Sequence, residues 1–161
     1  MDVSDKYKPD FVSEIKPNIQ GLGKADFVGC YQCLEHNPFD KFIELVKILS
    51  SYSNKYVCIS LPYNGAYFSF TAAIRLPKIL KRFSFLSRYC GMAARDINLE
   101  KFDLQSEPYR HHRWEVGRPS YKLKKLLKFI ENSTDLKSVE IRQNRIYPHH
   151  IFLLFEKNGQ L

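Results

Sequence analysis

The stretch FVGCYQCLEHNPFDKFIELVKIL, residues 27 to 49, decides how this chain is read. It begins as an apolar run and turns, within one tetrapeptide, into a helical repeat. Residues 26 to 33 (DFVGCYQC) are a strand candidate whose nearly unbroken hydrophobicity predicts burial on both faces, as in a parallel sheet covered by helices. Asn37 then makes a good N-cap, Pro38 fits the first helical position, and Asp40 places negative charge in the first turn. Phe39, Phe42, Ile43, Val46 and Leu49 follow the spacing of a core-facing stripe, with Lys41, Glu44 and Lys47 on the other side. Glu35 and His36 stand at the join.

Working outward, Tyr56 to Leu61 (YVCISL) is another apolar strand closed by Pro62, which completes a strand, helix, strand unit and indicates an α/β fold. Upstream, Asp10 to Ile15 (DFVSEI) is a short alternating strand candidate followed by the connecting PNIQGLGK. Downstream, Ser120 can cap a second helix with Leu123, Leu126, Leu127 and Ile130 inward and Lys122, Lys124, Lys125 and Lys128 outward. SVEIRQNRIY and HHIFLLFEK, on either side of Pro148, predict a terminal antiparallel pair at a sheet edge. The expected fold is therefore a Rossmann-like mixed sheet, mostly parallel, with an antiparallel C-terminal edge strand. Residues 63 to 118 carry no clean period apart from the IRLPKILKRFSFLSRY stretch, which mixes Arg and Lys with Ile, Leu and Phe, and read as an insertion or cap on one domain.

At 161 residues, the chain suits a single core. Its 44% hydrophobic and 26% charged composition excludes disordered, collagen-like and membrane-spanning classes. No secretory signal or span-length apolar run is present, and the 4 cysteines read as reduced thiols, so a cytoplasmic location is expected. Residues 75 to 128 hold 14 of the 25 Lys and Arg but only 5 of the 17 Asp and Glu, so the net charge of +8 belongs to that segment. Its interleaved Arg, Lys, Phe and Tyr suit a phosphate backbone with stacked bases, or an anionic bilayer surface. The plainer reading is a capping helix pair with a solvated basic face.

No metal site is expected. Cys30-x-x-Cys33 lies on a predicted strand, where positions i and i+3 face opposite ways, and no second Cys pair is near. His111-His112 and His149-His150 read as solvated or turn histidines. No phosphate loop, nucleophile elbow or HExxH occurs.

In open α/β sheets, ligands bind outside the carboxyl ends of the strands, and Glu35 and His36 occupy such an end. Helix capping explains them equally well on spacing alone. However, CYQCLEHNPFDKF resembles the motif after the fourth strand of class I S-adenosylmethionine-dependent methyltransferases. MDVSDKYKPDFVSEI is similar to that family's second and third strands, and KYVCISLPY to its fifth. HRWEVG with SYKLKKLLKFIE resembles the His-x-Trp-Glu-x-Gly signature and helix of one subset, whose Pro-x-His-x-Phe turn is matched by Tyr147-Pro148-His149-His150 with Phe152.

The resemblance implies S-adenosylmethionine as cofactor, with Asp2 at the ribose, Glu14 near the adenine amine, and Tyr31, Gln32 and Glu35 beside the bound molecule. His36, His112 and Glu115 are implied for acceptor positioning or proton removal, the acceptor being an unidentified small molecule or lipid. The family's first strand and glycine-rich loop should precede Asp2, whereas the chain begins at Met1. The expectation is a partial methyltransferase domain, incomplete at its N-terminus, with weak or no cofactor binding alone and self-association through an unpaired sheet edge. A small basic nucleic-acid-binding or membrane-surface module without catalysis is the alternative.

Overall fold

Strand β1 (Ala25–Tyr31) leads through two 3-10 turns, Leu34–His36 and Phe39–Lys41, into helix α1 (Phe42–Tyr52), which returns the chain to β2 (Ser53–Pro62). This computed structural model describes residues 13–76, 79–93, 112–143 and 148–158. β1 and β2 pair in parallel, from Ala25 opposite Ser53 to Tyr31 opposite Ser60. The stripe of α1 does what its spacing demands: Phe42, Val46 and Leu49 are buried while Lys41, Glu44 and Lys47 are exposed. Each such burial contributes about 1.5–3 kcal/mol.

The entry to the helix differs from expectation. Asn37 does not cap it; the Asn37 amide donates back to the carbonyl of Cys33 at 3.3 Å, and the α-helix proper starts at Phe42 after the second 3-10 turn. β1 also differs, because among the described residues it lies at the edge of the sheet, and most of its residues are exposed, Phe27 at 51%. Its apolar run marks one buried face and one open one. Of the proposed strand Asp10–Ile15, residues 13–15 are not in a strand, and 10–12 lie outside the described residues.

Helix α2 (Leu123–Ser133), β5 (Leu136–Gln143) and β6 (His150–Lys157) complete the layer. Leu126 and Ile130 are buried, and Lys122, Lys124, Lys125 and Lys128 are exposed, as read. Ser120 is not at the N-cap position, which is Lys122, whose side chain makes no capping hydrogen bond. The sheet order is β1-β2-β6-β5, with β6 antiparallel to both its neighbours. Three strands thus share one direction and the C-terminal strand opposes them, as the α/β mixed-sheet reading requires. The one departure is that β6 sits between β2 and β5, so β5 forms the edge.

The segment expected as a basic cap is not a helix pair where it is described. It is a long antiparallel hairpin, β3 (Gly65–Leu76) and β4 (Ile79–Ala93), with Leu76 opposite Ile79. The alternation Phe68-Ser69-Phe70-Thr71 and Phe83-Ser84-Phe85 is the period-2 signal that specifies it. Near the start of this excursion, Tyr63 and Val116 form a parallel bridge. The Asn64 N–H donates to the Val116 carbonyl at 2.8 Å, and the Val116 N–H donates to Pro62 at 3.0 Å. Among the described residues no helix is long and apolar enough to cross a membrane.

Candidate functional site

At the carboxyl end of β1 the backbone breaks direction. Gln32 adopts φ 51°, a left-handed conformation uncommon outside glycine. Its amide N–H and side-chain nitrogen both donate to the Ser60 hydroxyl on β2, at 3.2 and 3.0 Å, which holds the turn in place. The turn also sends Cys33 back towards Cys30, so the two thiols hydrogen-bond and burial adds to that contact in raising the Cys30 pKa. The expectation that these cysteines face opposite ways fails because the strand has already ended at Tyr31. They form no disulfide.

The next residues, Leu34–His36, make a single 3-10 turn whose Leu34 and Glu35 are buried. A segment 77 residues later in sequence is stitched to this corner. The Arg113 N–H donates to the Glu35 carbonyl at 2.9 Å, Arg113 Nε to the His36 carbonyl at 3.1 Å, and Trp114 Nε1 to the Asn37 carbonyl at 3.0 Å. Trp114 is itself buried and packs edge-on against Phe39 and Phe42. The indole therefore ties the corner to the hydrophobic core, and Arg113 delivers its neighbour His112 to the same place. The His36 and His112 rings lie 5.5 Å apart.

His112 Nδ1 lies 3.2 Å from Glu115 Oε1. Glu115 also accepts from Asn64 at 2.7 Å and from the buried Arg118, through Nε at 2.9 Å and a second nitrogen at 2.6 Å. These donors hold its pKa down at about 2, the His112 contact being the largest cause. An ionised carboxylate can only accept, so Nδ1 of His112 carries the proton in that contact. The same contact raises the His112 pKa above its ordinary value, with burial opposing. Gly117, at φ +96°, lets the chain pass between Glu115 and Arg118: a Cβ there would stand 2.5 Å from the Gly65 nitrogen.

Glu35 is the unusual member. Its side chain is fully buried, and neither carboxylate oxygen has a hydrogen-bond partner. Burial raises its pKa; the nearness of its own backbone N–H, outside hydrogen-bonding geometry, acts in the opposite direction, as do His36, His112 and His150. His150, at the start of β6, reaches this end of the sheet because it pairs with Pro62. Its Nδ1 is likewise buried without a partner.

The structure thus brings together Glu35, His36, His112 and Glu115. Tyr31 and Gln32 sit exposed at the adjoining strand tip, with the Tyr31 ring lying back over Gly29 and 6.4 Å from that of Phe152. Glu14 does not join them. It is exposed, and the chain just after it is tied down by Tyr52, whose hydroxyl donates to the Lys16 carbonyl at 3.0 Å and accepts from the Ile19 N–H at 2.8 Å. Tyr52 ends α1, about 15 Å along the helix axis from Phe42 at its start. Asp2 lies outside the described residues. Asn64 and Arg118 were not picked out from the sequence, and His150 only as part of the Pro-x-His-x-Phe turn; strand pairing and the bridge at Tyr63 place them here.

No protein-family model matches the sequence, and no curated protein matches it either. Among solved structures, the chain is similar to magnesium protoporphyrin IX methyltransferase from Synechocystis PCC 6803 with bound S-adenosylhomocysteine. The TM-score is 0.44 at 13% identity, over 86% of this chain and 47% of that one. It is also similar to 1,6-didemethyltoxoflavin-N1-methyltransferase from Burkholderia thailandensis with bound 1,6-didemethyltoxoflavin and S-adenosylhomocysteine, with a TM-score of 0.49 at 10% identity, over 92% and 50%. The chain spans about half the length of these two proteins.

Proposed function

We propose that this chain is a methyltransferase-like domain in which the strand tip at Tyr31–His36 faces S-adenosylmethionine and a methyl acceptor. The observation that carries the reading is the corner itself. The motif Leu34-Glu35-His36 lies at the carboxyl end of β1, is followed by α1 and a parallel β2, and is bound by Arg113 and Trp114 to the His-x-Trp-Glu-x-Gly segment. Two motifs that resemble one family, far apart in sequence, become one site where α/β sheets bind ligands.

The residues fit such a cofactor in part. Tyr31 and Gln32 are presented to solvent at the tip, whereas Glu35 is buried and Glu14 is held at the other end of α1. S-adenosylmethionine would supply an electrophilic methyl group. The chain's own contribution is to orient an acceptor and take its proton. His112, braced by the ionised Glu115, is the group arranged for that proton transfer, with His36 beside it.

The test is amide NMR of the intact chain with millimolar S-adenosylhomocysteine. Shifts confined to Tyr31–Asn37 and the 112–118 segment are expected, even at weak affinity. No change there, together with nucleic-acid binding that falls steeply with salt, would favour the basic binding module instead.

A further inference from the structure

We propose that Glu35, His36 and His112 together bind one divalent transition-metal ion of the zinc type. The inference goes beyond the methyl-transfer reading and does not require it; because the ion would occupy Nε2 of His112, the only lone pair left by the Nδ1–H contact to Glu115, proton removal by that nitrogen belongs to the metal-free protein. Each of the three residues offers one donor atom, and those atoms lie within 4.8 Å of one another. Donors around a tetrahedral ion at about 2.0–2.2 Å stand roughly 3.4 Å apart. The donor separations thus exceed the ideal by at most about 1.4 Å.

A second observation, independent of the spacing, asks for a cation. The Glu35 carboxylate is fully buried with both oxygens unpartnered, and buried charges otherwise pair or coordinate metals. The donor set then narrows the choice. Two imidazoles and one carboxylate suit zinc, iron, cobalt or nickel, whereas calcium and magnesium take oxygen ligands.

The surroundings are those of a ligand cage. Histidines that bind a metal through one nitrogen commonly donate the other N–H to a carboxylate, which fixes the ring. Glu115 holds Nδ1 of His112 in this way, leaving Nε2 to the ion, and is itself fixed by Asn64 and Arg118. Arg113 clamps the backbone of both adjacent ligands, Glu35 and His36, to the segment carrying the third. Three protein ligands leave a coordination position open for water or for an oxygen of a bound molecule, as in catalytic rather than structural zinc sites.

The experiment is titration of chelator-stripped, full-length protein with zinc by calorimetry and with cobalt by visible absorption. One equivalent should bind, with the absorption of four-coordinate cobalt and no sulfur-to-cobalt charge-transfer band. His112→Ala and Glu35→Gln should each weaken zinc at least about tenfold. Glu115→Gln, which removes no ligand, should weaken it by about 10–100-fold. His149→Ala, in the exposed turn before β6, should leave it unchanged. Circular dichroism establishes that each variant is folded. Should a variant fail to fold, cobalt-induced NMR broadening in the parent protein decides, because it must centre on His36 and His112. Absence of stoichiometric binding, a sulfur charge-transfer band, or affinity within twofold of the parent in folded His112→Ala and Glu35→Gln would overturn the proposal.

Discussion

Replacing Glu35 with leucine should make the metal-free protein more stable. The side chain is fully buried, both its oxygens lack a donor, and Leu has similar volume without polar atoms. A buried polar group without a partner costs about 1–3 kcal/mol, and more when charged. Attraction to the neighbouring histidines offsets part of this, so a gain of about 2 kcal/mol is expected at neutral pH. The pH dependence carries a sign. Burial raises the carboxyl pKa in the folded state. Its unfavourable ionisation is therefore absent below the ordinary carboxyl range and grows as pH rises through the raised value. The advantage of leucine should be small near pH 4 and reach its plateau towards neutrality. Urea unfolding of both proteins with chelator present, across that range, measures it. A variant less stable than the parent at pH 7, or a difference that does not change with pH, would refute the reasoning. Saturating zinc should then reverse the order, since a ligand at 100 times its Kd stabilises by about 2.7 kcal/mol and only the parent keeps all three donors.

The opposite sign is expected at Glu115. Its pKa is held at about 2 against the usual 4.5, and at about 1.4 kcal/mol per pH unit this stabilises the fold by about 3 kcal/mol above pH 4.5. Glu115→Gln should lose that amount at pH 7, and the gap should close as pH falls towards 2, read by denaturant midpoints. Gly117→Ala combines a left-handed φ of +96° with a Cβ 2.5 Å from the Gly65 nitrogen, and neither can relax cheaply because the obstacle is backbone. A loss of more than about 2 kcal/mol is expected in thermal melts.

Local periodicity made much of the fold legible. The α1 stripe from Phe42 to Leu49, the lysine face of α2 and the apolar β2 each carry their instruction within a dozen residues, and each formed as read. What sequence did not disclose depends on partners distant in the chain. Insertion of β6 between β2 and β5 is decided by pairing across about 100 residues, such as Tyr56 with Glu156. The openness of β1 follows from its edge position, which its hydrophobicity does not encode. At the site, Glu35, His36, His112 and Glu115 were singled out by motif, yet their meeting depends on Arg113 and Trp114 reaching Glu35, His36 and Asn37. Asn64 and Arg118 had no motif to announce them, and the turn motif that holds His150 did not place it at this corner. The cysteine orientation was misjudged because a single left-handed residue, Gln32, ended the strand before Cys33.

The bridge between Tyr63 and Val116 has an evolutionary consequence. It brings the departing and returning chain within hydrogen-bonding distance, so the β3–β4 hairpin can change in length while the returning residues His112 to Glu115 keep their place at the corner. Halving or doubling such a loop changes closure entropy by only about 0.6 kcal/mol. Selection can thus rewrite the hairpin freely while the buttressed histidine corner stays as it is.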